Sequence, residues 1–202
     1  MASKGCCAGI IRLGRWAGKA WLCPPGPFAV LAPGASCPSR RYPPERFGVA
    51  ARELATAGLP VLVTGPPAEE PLVARVVTAA GHRDVTAVPP APLPVFAALL
   101  RRAAVAVTNN SGGMHIADAV GTPVAVAYAG TERPGDLRPR SVPAALLRRE
   151  VSCSPCRQLH CLFDHECLDV PATEVAAAAQ ALAALTPDLP EEDPWLHQAS
   201  TR

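Results

Sequence analysis

The chain has 202 residues, 49% of them apolar, 4% aromatic and 18% charged, with a formal net charge of +2. That length suits one domain with tails, and a domain of about 150 residues buries roughly 70% of its unfolded surface, so a core of Ala, Val and Leu is within reach. The charge is too weak to point to a nucleic-acid partner, and no apolar run reaches the roughly 18 residues of a membrane span. Lys4, Arg12, Arg15 and Lys19 break up the N-terminal apolar residues before a signal-peptide core can form. The expectation is a cytoplasmic protein.

Residues 1–27 show no clean period and end in Pro24-Pro25-Gly26-Pro27, which reads as an irregular segment or linker. From Phe28 the pattern becomes regular. Phe28 to Leu31 is a short apolar run that Pro33-Gly34 breaks, a buried strand entering a loop. Pro43-Pro44-Glu45 opens a helix whose Phe47, Ala50, Ala51 and Leu54 share one face, and Gly58 closes it. Val61 to Val63 is the next strand. Leu72, Val73, Val76, Val77 and Ala80 mark a second amphipathic helix, stopped by Gly81.

Val85 to Val88 is a weak strand before a proline-rich loop, and Leu93, Phe96, Leu99 and Leu100 mark a third helix. Val105 to Val107 runs as a strand into Thr108-Asn109-Asn110-Ser111-Gly112-Gly113, and Met114 to Val120 is a short helix capped by Gly121. Val124 to Tyr128 is another strand, Glu174 to Leu185 a final alanine-rich helix, and the residues from 186 on an acidic tail. Continuous apolar strands alternating with helices predict an α/β fold, a Rossmann-like parallel sheet with helices on both faces, over residues 28–185.

In such folds ligands sit beyond the carboxyl ends of the strands. The strongest candidate is the loop from Thr108 to His115. Gly112 and Gly113 let backbone approach a ligand, the helix start offers free N–H groups and a positive dipole end to a diphosphate, and Ser111 can cap the helix or donate to a phosphate. His115, in the first turn, can reach the same anion. An ordinary strand–turn–helix with a serine cap fits the same residues. A second loop joins Ser36 to Arg40 and Arg41, two cations suited to phosphate, though a solvated basic loop is the plain alternative. A third holds Glu69 and Glu70, either of which can accept ribose hydroxyls or simply favour a helix N-terminus.

Cys153-x2-Cys156-x4-Cys161-x5-Cys167 forms a compact cluster in a Cys-rich loop, residues 153–167, with His160 and His165 inside it. Four thiolates can hold a structural zinc ion tetrahedrally, and an iron–sulfur cluster is chemically accessible. Reduced thiols or a disulfide stapling a long loop fit equally, because only the first pair has a ligand spacing.

Taken in order, Pro33-Gly34-Ala35-Ser36, Arg40-Arg41-Tyr42-Pro43, Gly65-Pro66-Pro67-x-Glu69-Glu70, Thr108-Asn109-Asn110-Ser111-Gly112-Gly113-Met114-His115 and Gly121-Thr122-Pro123-Val124 resemble the C-terminal domain of family 9 glycosyltransferases. These are the ADP-heptose:lipopolysaccharide heptosyltransferases and their relatives. Each motif is loose, and five in order are hard to obtain by chance. The resemblance spans about Phe28 to Leu185 and implies one half of a GT-B type glycosyltransferase, two Rossmann-like domains with the active site between them.

The resemblance assigns Ser36 to the diphosphate and Arg40 to the family's basic position. It assigns Glu69 or Glu70 to the ribose, and Asn110, Ser111, Gly112, Gly113 and His115 to the phosphate and sugar contacts, with Arg41 beside them. Met114 also suits simple core packing. The family usually carries aspartate where this chain has Asn110, which keeps the shape and loses the charge. Residues 1–27 are too few for a βαβ unit, which needs about 30, and contain no Asp or Glu. The resemblance implies that the catalytic base, an aspartate, and the acceptor site lie in an N-terminal domain, and both are expected in an N-terminal domain partner.

The reaction implied is inverting transfer of a sugar, a heptose, from a nucleotide-sugar donor (ADP-heptose-like) to a glycan or glycolipid acceptor of the lipopolysaccharide type. A base deprotonates the acceptor hydroxyl, and positioned donors stabilise the leaving diphosphate. No cofactor is implied for catalysis. The location implied is cytoplasmic and peripheral at the inner face of the membrane. Two other readings are a non-catalytic nucleotide or nucleotide-sugar binding module, and an interaction protein stabilised by metal at Cys153 to Cys167.

Overall fold

The computed structural model describes residues 12–16, 19–22, 24 and 26–185. The tail expected from residue 186 lies outside the described residues. Two short strands, β1 (Arg12–Trp16) and β2 (Lys19–Leu22), pair antiparallel inside the segment expected to be irregular. The charged residues that hide an apolar period there do not prevent backbone pairing.

The main sheet has six strands. They are β3 (Ala29–Ala32), β4 (Val61–Val63), β5 (Val85–Ala87), β6 (Val105–Asn109), β7 (Val124–Ala127) and β8 (Ala144–Leu147). Their order is β5-β4-β3-β6-β7-β8, and every pairing is parallel. β8 has no counterpart among the sequence expectations. Its Ala-Ala-Leu-Leu lacks β-branched residues and is only half buried, so neither propensity nor period marks it.

Among the described residues, five α-helices cover the sheet: α1 (Pro44–Thr56), α2 (Glu70–Ala80), α3 (Leu93–Arg101), α4 (Gly112–Val120) and α5 (Ala172–Ala183). Strand residues alternate between two cores, as the period of two requires. Leu31, Val63 and Val107 face Phe47 and Leu54 of α1, Val76 of α2 and Val175 of α5. Val30, Leu62 and Val126 face Leu99 and Leu100 of α3 and Met114 and Ala117 of α4. Each fully buried Leu, Val or Phe stabilises by roughly 1.5–3 kcal/mol. Gly121 ends α4 with φ 85, a left-handed cap that a residue with Cβ would strain. Among the described residues no helix is long and apolar enough to cross a membrane.

Candidate functional site

The strand order reverses between β3 and β6, and the crevice over that point is where ligands bind in such sheets. A cavity of 340 Å³ lies there. Ser36 lines it from the loop after β3, Gly65 and Glu69 from the loop after β4, and Ser111 and Gly113 from the start of α4. Leu93 and Phe96 of α3 and Ile116 of α4 give it an apolar wall.

Ser111 occupies the N-cap position of α4 with extended backbone, yet its side chain makes no capping bond. Its Oγ donates instead to the Gly34 carbonyl at 3.2 Å. The serine therefore ties two crevice loops together and leaves the first amides of α4 without a side-chain partner, free to meet an anion. Gly113 packs closely: an added Cβ would lie 3.2 Å from Thr108 Cγ2 and 3.5 Å from Ala32 Cβ. Gly112 faces open space.

Of the two acidic candidates, Glu69 enters the crevice and Glu70 does not. A 3-10 turn over Pro67–Glu69 directs Glu69 inward, whereas Glu70 stands exposed in the first turn of α2. Burial pushes the Glu69 carboxyl above its ordinary pKa, and the nearby Arg41 guanidinium opposes that shift.

Arg40 and Arg41 do not line the cavity directly. Arg40 ends a 3-10 turn over Pro38–Arg40. Its Nε donates to Thr131 Oγ1 at 3.0 Å and its Nη2 to Glu132 Oε1 at 2.6 Å. Arg41 donates from Nε and Nη2 to the Ala35 carbonyl, at 3.3 and 3.1 Å, bracing the Ser36 loop. Thr131 and Glu132 are absent from the sequence candidates. Their only signal was a position just after a strand.

The two asparagines before Ser111 are both fully buried. Asn109 donates from Nδ2 to Pro33 O at 2.8 Å and Gly34 O at 3.2 Å, and accepts from Tyr42 N at 2.9 Å. Asn110 accepts from Ala129 N at 3.0 Å, and its Nδ2 points to Ala129 O at 3.5 Å and Thr131 Oγ1 at 3.4 Å. Asn110, expected among the donor contacts, uses its amide to hold the loops after β6 and β7. Met114 lies wholly inside the core. His115 is exposed on α4 and outside the cavity wall.

A second cavity of 320 Å³ is lined by Cys153, Cys156, Cys161 and Cys167. All four are free thiols. Burial pushes the Cys167 thiol above its ordinary value, and the three neighbouring cysteines add to the shift. Among the described residues no group of three or more His, Cys, Asp or Glu side chains is placed to hold a metal ion. His160 is exposed, and His165 Nε2 is buried without a hydrogen-bond partner.

Sheet order and crevice define a Rossmann-like α/β domain with a candidate ligand site over its switch point. The family model for glycosyltransferase family 9 (heptosyltransferase) matches residues 19–166, well over half of the chain, and the chain belongs to that family. Among solved structures it is similar to a family 9 glycosyl transferase from Veillonella parvula (23% identity, TM-score 0.69, 79% of this chain and 47% of that one). It is similar also to E. coli ADP-heptose lps heptosyltransferase II (22%, TM-score 0.69, 81% and 48%) and to E. coli heptosyltransferase WaaC with ADP (20%, TM-score 0.60, 78% and 44%). The chain thus spans under half the length of these proteins. No curated protein matches it.

Proposed function

We propose that this chain is the donor-binding half of an inverting glycosyltransferase that moves a sugar, a heptose, from a nucleoside diphosphate to a saccharide or glycolipid acceptor. The observation that carries this reading is the 340 Å³ crevice over the switch point, with uncapped amides at the start of α4 and a half-buried carboxylate across from them. The amides of Gly112 and Gly113, with the Ser36 hydroxyl, suit the diphosphate. Glu69 suits the ribose hydroxyls, since a carboxylate accepts from them. The apolar wall of Leu93, Phe96 and Ile116 suits a nucleobase. ADP bound to one solved neighbour supports an adenine nucleotide.

During transfer the donor diphosphate gains negative charge as the anomeric carbon–oxygen bond breaks. Dipoles already aimed at that charge lower the barrier without reorganising. In this reading α4 and Arg40 supply the stabilisation, and the proton acceptor belongs to the N-terminal half. The protein acts in the cytoplasm, peripheral to the inner face of the membrane.

Calorimetric titration of the purified chain with ADP, GDP and UDP tests the reading. Saturable binding of one nucleotide, weakened by Glu69→Ala and Arg40→Ala, is the expected result. A folded chain that binds none of the three would overturn it.

A further inference from the structure

The cysteine-rich loop lies outside the crevice, yet a short run of it touches both segments that hold Arg40. Its four residues Cys156 to Leu159 each spend a backbone group on this. Cys156 N donates to Gly130 O at 3.0 Å, and Arg157 N to Thr131 O at 3.1 Å. On the other side, Ser39 Oγ donates to Gln158 O, and Ser39 N donates to Leu159 O at 3.2 Å. Ser39 is 3% exposed and immediately precedes Arg40. Thr131 in turn receives Arg40 Nε, and Glu132 receives Arg40 Nη2.

Two successive N–H groups followed by two successive C=O groups thus bridge the loop after β7 to the 3-10 turn of Arg40. The run manages this because Arg157 takes a left-handed φ of 52, which turns its N–H toward one segment while the following carbonyls face the other. A non-glycine residue adopts that conformation only where its surroundings hold it there.

The geometry points to a clasp: the Cys156–Leu159 run, acting through Ser39, positions Arg40 for the donor diphosphate. This rests on the reading of Arg40 as a donor contact. Arg40 lies four residues beyond Ser36 of the crevice wall, and its Nη1 has no protein partner among the described residues. A guanidinium fixed by Thr131 and Glu132 and backed by the clasp offers that remaining corner without reordering a long side chain, and preorganisation of this kind raises affinity. Ser39 is a positioning residue, since it touches no ligand.

The test uses the full chain and whichever of ADP, GDP and UDP binds best, with the parent nucleoside as control. Ser39→Ala is expected to weaken diphosphate binding about 5–10-fold, the scale of one ordinary hydrogen bond, and to leave nucleoside binding unchanged. Ser39→Thr keeps the hydroxyl and restores affinity. Ser39→Ala in an Arg40→Ala background adds nothing further. Should Ser39→Ala fail to fold, Arg157→Pro opens the clasp from its exposed side, because proline has no N–H and cannot reach φ 52. It should give the same selective loss.

Full diphosphate affinity in these variants, equal loss for the nucleoside, or losses that add to Arg40→Ala would overturn the clasp alone and leave the donor reading standing. Unchanged affinity in Arg40→Ala by itself would overturn the clasp together with Arg40's part in the donor reading, and leave the crevice as the donor site. A wild-type chain that binds no nucleoside diphosphate would overturn the donor reading, and the clasp with it.

Discussion

A methyl group on Gly34 would come within 1.7 Å of Glu69 Oε2, so the glutamate carboxylate fills the space that any side chain at position 34 needs. Glu69 is the flexible partner and will yield. Gly34→Ala is therefore expected to swing the carboxylate out of the crevice, shifting the melting temperature little but weakening nucleotide binding as much as Glu69→Ala does. Calorimetry and thermal melting on the two variants check this. Wild-type nucleotide affinity in Gly34→Ala would refute the assigned position of Glu69.

Glu69 also gives stability a pH dependence. Its folded pKa lies above the ordinary value of 4.5, with burial as the main cause. The folded chain then holds this proton more tightly than the unfolded chain does. The resulting stabilisation is complete below the unfolded value and is lost as pH rises through the folded value. Glu69→Gln cannot ionise and should gain on the wild type between acid and neutral pH, while binding nucleotide less well. Parallel melting curves at all pH values would count against a raised carboxyl.

Restoring the family's aspartate at position 110 should harm this chain. Asn110→Asp keeps the acceptor for Ala129 N but turns a second oxygen toward Ala129 O, now 3.5 Å from a donor nitrogen. An unmatched buried polar group costs about 1–3 kcal/mol. The loss should shrink at acid pH, where a protonated carboxyl donates to that carbonyl again. Chemical denaturation at neutral and acid pH measures both effects, and a variant as stable as the wild type would show that the loops have another hold.

The cysteines should differ in reactivity. Burial raises the Cys167 thiol above its ordinary value of 9.0, and only the thiolate is nucleophilic. Iodoacetamide at pH 8 should label Cys153, Cys156 and Cys161 before Cys167, read by peptide mass spectrometry. Labelling of Cys167 at the same rate as the other three would contradict its burial.

The sheet core was legible because its strands are continuous runs of Val, Ala and Leu; Val61–Val63 appears in the structure with the expected bounds. β8 was hidden because its pairing with β7, and not its residues, makes it a strand. The crevice loops could be located from strand ends, but their side-chain roles could not. Adjacent Glu69 and Glu70 look alike until a 3-10 turn separates them. Ser111 reads as a cap until Gly34 O is seen to take its hydroxyl. The spacing of the cysteines drew attention to their sulfurs, whereas the run from Cys156 reaches the rest of the domain through its backbone.

The crevice joins strands that are neighbours in space and distant along the chain: Ala29 pairs with Val105. Bringing them together closes a long loop, and two intervening strands and three helices must find their places around it. A nascent or truncated chain that lacks β6 has no crevice, so the ligand cannot template the early steps of folding. Once the pairing forms, ligand binds only the finished domain and stabilises it by mass action. A nucleotide that fits this site would therefore act as a late lock on folding, and its absence during synthesis would cost the chain nothing until the last strands arrive.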